Sequence, residues 1–313
     1  MSVIEDEYQL STTFAQRVAS LYITHPRLKK IWGMLDSIRK HNKFQGGSNS
    51  PRHRFVIGLS GVGKTQMMRR YAELEVNKGH IYIDEEGTEI DIRPVVYVNL
   101  PDPFTIMELY QSIIYSLGAP QLPGRPRIGE VKRQVFTILE AQKVEMLILD
   151  EMDHILKSRF VKNEEAMSAI KHITNHGSVS VICVGTPEIE ELRKFDPQHF
   201  RRYPPTRLER FKDCDKDFLE LMNSIEEQLL PPNRVGFGFK DSILPSLLHK
   251  ASYGLVGYLT PIIQETYDLL GVFNDNFNEE TDGLNLNFIS KLEEAYGNIV
   301  GDVAEEEMEK MFN

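Results

Sequence analysis

The sequence is poor in cysteine and has no long apolar segment. Its 313 residues include two cysteines, Cys183 and Cys214, which argues against a disulfide-stapled scaffold and is typical of a reducing, cytoplasmic compartment. No stretch approaches the roughly 18–20 apolar residues that a transmembrane helix needs. The first residues, MSVIEDEYQLSTT, are acidic and lack an apolar core. We therefore expect neither a secretory signal nor a membrane partner.

Common metal and redox motifs are also missing. The chain contains no C-x-x-C and no H-E-x-x-H. His172 and His176 are four residues apart without a carboxylate in the motif, which predicts a histidine pair on a surface helix rather than a metal site. Cys183 lies in an apolar run and is predicted to be a buried thiol.

Positive charge is scarce overall but clustered. The net charge is −10, and residues 275–313 alone hold eleven acidic residues against two lysines, so the rest of the chain carries about −1. Between Arg27 and Arg54 there are eight Lys/Arg and one acid, and a second basic cluster lies at 125–133. Such clusters either contact phosphates of a nucleic acid or form a solvated surface.

Continuous apolar runs alternate with helical patterns up to about residue 212. This order predicts an α/β fold, a parallel sheet with flanking helices, followed by a small C-terminal helical lid. Predicted strands precede residue 58 and lie at 95–100, 146–149 and 179–184, with a hairpin at 80–92. Predicted helices lie at 14–23, 26–42, about 66–77, 105–117, 128–142, 213–230, 241–252, 257–270 and 286–296.

These patterns also predict the domain organisation. We expect an N-terminal helical segment, an α/β core, a helical lid subdomain and an acidic C-terminal tail. Their predicted bounds are 1–50, 51–212, 213–273 and 274–313.

Residues 55–65, FVIGLSGVGKT, carry the clearest chemical signal. An apolar strand, the pattern G-x-x-x-x-G-K-[ST] and a helix-forming run follow one another, as in a phosphate-binding loop. Lys64 is expected to reach the β- and γ-phosphates, and the Thr65 hydroxyl to hold Mg²⁺. The predicted nucleotide-binding residues of this segment are Gly58, Ser60, Gly61, Val62, Gly63, Lys64, Thr65 and Gln66.

Polar residues at the ends of two further strands complete a predicted hydrolytic site. Asp150 follows an apolar strand and is expected to hold Mg²⁺, with Glu151 polarising the attacking water. The alternative for this pair is an acidic helix N-cap. Thr186 ends the next strand and is expected to contact the γ-phosphate or the water, unless it is only a turn residue before Pro187.

Two adjacent arginines, Arg201 and Arg202, are candidates for an arginine finger. A finger acts on the nucleotide of a neighbouring subunit and stabilises the charge of the transition state. Arg201 is the first choice, and Arg193 and Arg207 stay open. The alternative is a surface pair that packs on Tyr203 or pairs with Glu209.

Together these segments resemble an AAA+ ATPase of the TniB/TnsC type, which serves DNA transposition. The resemblance spans about residues 13–270. Its motifs are ITHPRLKKIWGMLDSI, GLSGVGKT, VVYVNLP, VEMLILDEMDHIL, VICVGTPEIEEL, HFRRYPPTRLERF and YGLVGYLTPII. It implies ATP and Mg²⁺ as cofactors and ATP-dependent assembly into rings or filaments on duplex DNA. It also implies a link between a target-selecting protein and the transposase.

The resemblance also assigns further residues. It implies DNA-backbone contacts by Thr105, Arg125, Arg127 and Lys132. AAA+ lids usually place an arginine in the Gly-x-x-Gly-x-Leu helix, where this chain has Tyr258, so the usual charged contact with the nucleotide is expected to be either missing or replaced by a stacked one. That departure favours a slow switch over a fast hydrolase.

Other functions remain open from the sequence. An initiator- or loader-like AAA+ protein would carry a dedicated DNA-reading domain, and the acidic segment after 270 is short for one. A signalling P-loop NTPase would use the same core without nucleic acid, and a scaffold would bind ATP without turnover. The acidic tail is either a docking or autoinhibitory segment or a solvated tail.

Overall fold

The computed structural model describes residues 12–45, 51–195 and 197–301. The chain forms two compact units. The sheet unit comprises Arg27–Ser60 and Lys64–Leu208. Among the described residues, the helical unit comprises 12–26, 61–63 and 209–301. Residues 46–50 of the predicted linker and 302–313 of the predicted tail lie outside the described residues.

The sheet unit contains a five-stranded parallel sheet and a separate hairpin. The sheet order is β4-β5-β6-β1-β7, and β2 pairs with β3 in the antiparallel hairpin. The strands are β1 Arg54–Ile57, β2 His80–Ile83, β3 Glu89–Ile92, β4 Val95–Asn99, β5 Met146–Asp150, β6 Ser180–Gly185 and β7 Pro205–Arg207. The strand β6 thus separates β5 from β1, and the segments that follow these three strands meet at one edge of the sheet.

Helices of the sheet unit cover this sheet. They are α2 Pro26–Gln45, α3 Lys64–Glu73, α4 Ile106–Ser116, α5 Ile128–Ala141, α6 Asp153–Lys157, α7 Asn163–Gly177, α8 Glu190–Lys194 and α9 Pro197–Arg202. The residues of β5 and β6 are all buried, as expected for parallel strands covered on both faces. One continuous apolar core joins β1, β4, β5 and β6 to the faces of α4, α5 and α7.

The parallel α/β sheet, its four predicted strands and the hairpin are confirmed, but one strand was missed and the predicted end of the phosphate-loop helix is wrong. The strand β7 was not predicted because three residues beginning with a proline carry no periodic signal; it pairs only with β1, at the sheet edge, where proline is tolerated. The helix α3 ends at Glu73 rather than near Asn77. The buried Asn77 amide donates to the Tyr71 carbonyl at 2.6 Å and so helps to end the helix.

The helical unit is built from α1 Phe14–Ala19, α10 Lys216–Leu229, α11 Leu244–Ser252, α12 Val256–Leu269 and α13 Ile289–Val300. Its core joins Phe14 and Val18 of α1 to the apolar faces of the later helices. Part of the acidic segment is packed here, because Leu292 and Ala295 of α13 are buried and Glu279 pairs with Arg17 at 2.8 Å. The predicted domain bounds stay a prediction. No helix in the described part of the chain is both long and apolar enough to cross a bilayer.

A buried histidine lies at the start of the sheet. His53 precedes β1 and is 2% exposed. Its Nδ1 accepts the backbone N–H of Val181 at 3.1 Å, and its ring stacks on Tyr203 at 4.8 Å. Burial, and to a smaller extent the charge of Arg202, lowers the pKa of His53 from 6.5 to about 3. The imidazole is therefore neutral in the folded chain at neutral pH.

This histidine predicts a loss of stability in mild acid. Because the pKa of His53 is lower in the folded than in the unfolded chain, the unfolded chain binds more protons between pH 6.5 and about 3. The stabilisation is complete above pH 6.5 and is lost as the pH falls toward 3. His53→Asn keeps a hydrogen-bond acceptor but cannot titrate. Between pH 6.5 and 4.5 we expect the free energy of unfolding to fall by about 1–2 kcal/mol more in wild type than in this variant. Urea unfolding at the two pH values measures this, and equal losses would contradict it.

Candidate nucleotide site

The phosphate-loop sequence forms the predicted strand, loop and helix. After β1 the backbone N–H of Gly58 donates to the Gly185 carbonyl at 3.2 Å, and α3 begins at Lys64. Gly61 and Gly63 have φ of 76° and 98°. Only glycine adopts such angles without cost. The loop thus turns sharply into a helix N-terminus, the arrangement that directs backbone N–H groups and the helix dipole toward an anion.

Lys64 lies among backbone oxygens and carboxylates. Its Nζ donates to the carbonyls of Gly58 at 2.7 Å and Leu59 at 2.9 Å. Burial lowers the pKa of Lys64, and the charges of Asp150, Asp153, Glu151 and Glu188 oppose that shift, Asp150 most strongly. The structure therefore brings the predicted lysine and the predicted Asp-Glu pair into one electrostatic environment.

Asp150 is the last residue of β5, and its buried carboxylate accepts two hydrogen bonds. It is 1% exposed. Its Oδ1 accepts the Glu151 N–H at 2.9 Å, and its Oδ2 accepts the Tyr97 hydroxyl at 2.7 Å. A carboxylate offers about four acceptor positions, so oxygen sites remain for a cation.

The donor chemistry of this site fits Mg²⁺ bound with a nucleotide. Mg²⁺ is typically held by one or two protein oxygen ligands, phosphate oxygens and water. Asp150 supplies a carboxylate at the end of β5, and Thr65 supplies a hydroxyl in the first turn of α3. These two residues would hold the cation beside the phosphates.

Glu151 follows with an unusual backbone conformation. It has φ of 59° and is partly exposed, whereas residues other than glycine rarely adopt this left-handed region. Such conformations concentrate at functional sites. The partly exposed carboxylate is available to accept a proton from water.

Thr186, placed after β6 as predicted, is held by carboxylates. Its N–H donates to Asp153 at 3.1 Å, and its hydroxyl lies within hydrogen-bond distance of the carboxylates of Asp153 and Glu188. The hydroxyl has one proton, so it donates to one of them at a time. Asp153 approaches so closely that a Cβ on Gly185 would lie 2.7 Å from its Oδ2. A side chain at position 185 would therefore force Asp153 to move.

Asp153, Glu188 and Tyr97 were missed from the sequence. Asp153 carried a weak signal, being a third carboxylate three residues after Asp150. Glu188 carried a similar signal, as an acid two residues after Thr186. Tyr97 carried none, because its role depends on the pairing of β4 with β5.

The four arginine candidates differ in their surroundings. Arg201 and Arg202 are the last two residues of α9. Arg193 is buried and donates to the Phe200 carbonyl at 3.1 Å, and Arg207 pairs with Glu190 at 2.7 Å. Arg202 donates to Asn175 at 3.0 Å, and Arg201 is exposed. Arg207 is also exposed, but its guanidinium is engaged by Glu190, so Arg201 stays the first choice for a finger.

Tyr258 lies against the phosphate loop inside the helical unit. The N–H of Gly257 donates to the Gly61 carbonyl at 2.7 Å. A Cβ on Gly61 would meet the Tyr258 ring at 3.4 Å. Of the remaining predicted nucleotide-binding residues, Val62 is buried, while Ser60 and Gln66 are exposed.

The predicted DNA-contacting residues lie on or before α4 and α5. Thr105 caps α4, and its hydroxyl accepts the Glu108 N–H at 3.2 Å. Arg125 and Arg127 are exposed in the segment before α5. Lys132 is partly buried on α5, with its Nζ 5.4 Å from the centre of the Tyr110 ring. The two arginines are therefore the residues of this group most open to a phosphate backbone.

The remaining histidine and cysteine predictions concern structure rather than chemistry. The rings of His172 and His176 on α7 lie 4.0 Å apart, tilted by 55°, and both lie beside Phe136. Within residues 12–45, 51–195 and 197–301, no group of three or more His, Cys, Asp or Glu side chains is placed to hold a metal ion. Cys183 is fully buried, as predicted.

The sheet, the phosphate loop and the helical unit define the fold of AAA+ P-loop ATPases. Solved structures with this fold include the Aeropyrum pernix ORC1 protein in complex with DNA (13% identity, TM-score 0.57, 90% of this chain and 68% of that chain). They also include the A. pernix ORC2 protein in ADPNP–ADP complexes (15%, 0.55, 88% and 71%). A third is Cdc6p from Pyrobaculum aerophilum (14%, 0.56, 82% and 65%). At such identities the likeness concerns the fold alone, and the chain spans about two thirds of each neighbour's length.

The sequence identifies the family more narrowly. The family model described as "Bacterial TniB protein" matches residues 15–213, well over half of the chain. The chain belongs to the TniB family, as its motifs predicted. None of the curated proteins compared with it matches.

Proposed function

We propose that this protein is an ATP-dependent regulator of DNA transposition that assembles on duplex DNA in its ATP-bound form. In this proposal the assembly connects a target-selecting protein to the transposase, and hydrolysis disassembles it. One observation carries the proposal: in a member of the TniB family, the phosphate-loop lysine lies in the electrostatic field of Asp150 and Glu151 at one edge of the sheet. That is the arrangement expected for ATP hydrolysis.

Each residue of the site has a role in this proposal. Lys64 and the backbone N–H groups of the loop bind the phosphates, and Thr65 and Asp150 hold the cation. Glu151 accepts a proton from the attacking water. The bound Mg²⁺–ATP supplies the phosphoanhydride bond and a charge that neutralises the phosphate oxygens.

Thr186 is proposed to sense the phosphate through a change of hydrogen-bond partner. Its hydroxyl contacts Asp153 and Glu188, and a nearby phosphate oxygen would compete for the same proton. Glu188 has a lowered pKa, chiefly because of the Thr186 hydrogen bond, so its charged form is favoured. Thr186 is thereby poised between the carboxylates and a nucleotide.

The helical unit supports the proposal of a slow switch. Tyr258 lies against Gly61, on the segment where AAA+ lids commonly present an arginine. An aromatic ring can stack, but it cannot stabilise developing negative charge as a guanidinium does. The charge of the transition state then depends more strongly on an arginine from a neighbouring subunit, proposed to be Arg201, so hydrolysis would be coupled to assembly.

DNA binding through Arg125 and Arg127 is tested by reversing their charges. We expect Arg125→Glu/Arg127→Glu to weaken ATP-dependent binding to duplex DNA at least tenfold at 0.1 M salt, because each arginine would neutralise about one phosphate. The slope of log affinity against log salt should fall by about two. Fluorescence anisotropy with labelled duplexes of several sequences measures both quantities.

The matched control is Lys212→Glu/Lys216→Glu, which makes the same change of charge at two exposed residues of the helical unit. Equal weakening in both variants would show a general effect of net charge rather than a contact. Unchanged binding in the arginine variant would remove these two residues from the DNA-binding surface. If wild type bound no DNA with ATP present, a signalling NTPase without nucleic acid would be favoured.

A further inference from the structure

Tyr97 connects two strands at the nucleotide site. It lies on β4 opposite Ile148 of β5, and Asn99 lies opposite Asp150. Side chains alternate between the faces of a strand, so Tyr97 and Asp150 share one face of the sheet. The Tyr97 hydroxyl donates to Asp150 Oδ2 at 2.7 Å.

The side chain of Arg69 also contacts Tyr97. It lies on α3, the helix that begins with Lys64, and its Cζ lies 5.2 Å from the centre of the Tyr97 ring, within the range of a cation–π contact. A side-chain hydrogen bond with Tyr97 is the largest cause that raises the pKa of Arg69. Arg69 and Tyr97 also line the same open cavity of about 1030 Å³ beside α4. Tyr97 thus links Arg69 on α3 to the carboxylate of Asp150.

The Tyr97 hydroxyl is the hydrogen-bond donor in its contact with Asp150. The phenol carries one proton and a carboxylate oxygen can only accept, so in this contact the Tyr97 hydroxyl donates and Asp150 accepts. With the Glu151 N–H on Oδ1 and the phenol on Oδ2, the Asp150 carboxylate is held at both oxygens. Its rotation is restricted, and its remaining acceptor positions have a fixed direction.

We propose that Tyr97 is a positioning residue that orients Asp150 for a divalent cation, with Arg69 acting through Tyr97. This inference rests on the proposed function, because it takes Asp150 as the cation ligand. Hydrogen-bond partners of ligating carboxylates commonly change metal affinity about 10–100-fold when they are removed. In this proposal Tyr97 on β4 and Arg69 on α3 help to set the affinity of Asp150 for the cation.

The test separates cation binding from nucleotide binding. The change is Tyr97→Phe, which removes one hydroxyl and keeps the ring. Fluorescence titration with mant-ADP in EDTA gives the cation-free nucleotide affinity, and a Mg²⁺ titration at fixed mant-ADP gives the half-saturating Mg²⁺ concentration. We expect the first to change less than twofold and the second to rise about tenfold.

The matched control is Tyr110→Phe. Tyr110 lies on α4, and its buried hydroxyl has no hydrogen-bond partner, so its loss should leave both measurements unchanged. Arg69→Gln should raise the half-saturating Mg²⁺ concentration in wild type but add nothing to Tyr97→Phe. Arg69 is exposed, so its replacement spares the core.

Three outcomes would overturn the inference. An unchanged Mg²⁺ midpoint in Tyr97→Phe would show that the phenol does not position the cation ligand. A parallel loss of mant-ADP binding in EDTA, with a lower melting temperature, would show a structural role only. If wild type bound mant-ADP without any dependence on Mg²⁺, the assignment of Asp150 would fail, and with it the hydrolytic part of the proposed function.

Discussion

Replacing Glu151 by glutamine is expected to lower ATP hydrolysis at least about 100-fold while ATP binding stays within a few fold of wild type. The glutamine keeps the size of the side chain but cannot take a proton from water. Lys64 still lies in the field of Asp150 and Asp153, so the phosphates remain bound. The expected consequence is an assembly on DNA that forms with ATP and no longer dissociates.

Phosphate release and the lifetime of the DNA-bound assembly, followed by light scattering after dilution, measure these effects. Glu188→Gln is a matched control, because it makes the same change at an exposed glutamate of the site and leaves Glu151 in place. Its hydrolysis should be reduced far less. An unchanged lifetime for the Glu151→Gln assembly would instead support a scaffold that binds ATP without using its turnover.

Replacing Arg201 by alanine is expected to lower the hydrolysis rate of the DNA-bound assembly at least about 100-fold and to leave ATP binding by the isolated chain unchanged. Removal of a charge that stabilises the transition state from a neighbouring subunit typically costs about 10³–10⁵ in rate. Arg207→Ala is the control, because Arg207 is also exposed but pairs with Glu190 at 2.7 Å. Steady-state hydrolysis with saturating duplex DNA measures both variants.

Mixing variants tests whether the arginine acts across subunits. An Arg201→Ala chain keeps a complete phosphate loop, and a Lys64→Ala chain keeps Arg201. Each should be nearly inactive alone, while a mixture should recover part of the activity at interfaces where Arg201 of one chain meets the intact loop of the other. No recovery, although the two chains co-assemble, would contradict a finger supplied by Arg201.

The sheet and the phosphate loop were predictable because their signals are local. Met146–Asp150 is a continuous apolar run ending in an acid, and Arg54–Ile57 leads directly into the glycines. In a parallel sheet the carboxyl ends of all strands lie at one edge, so sequence order alone indicated that Asp150 and Lys64 would lie at the same edge. Membership of the TniB family then confirmed the resemblance on which the broader reading rested.

Other parts of the site could not be predicted because they depend on contacts between distant segments. Asp153 reaches Thr186 across 33 residues, and Tyr97 reaches Asp150 across 53 residues. Both contacts follow from strand pairing and not from spacing. The edge strand Pro205–Arg207 likewise exists only because β1 offers it a partner.

Electron microscopy of the protein with duplex DNA and a non-hydrolysable ATP analogue tests the central claim most directly. The account predicts rings or filaments that require both DNA and the analogue, and that are absent with ADP or with Lys64→Ala. Protein that stays unassembled on DNA with the analogue bound would contradict it.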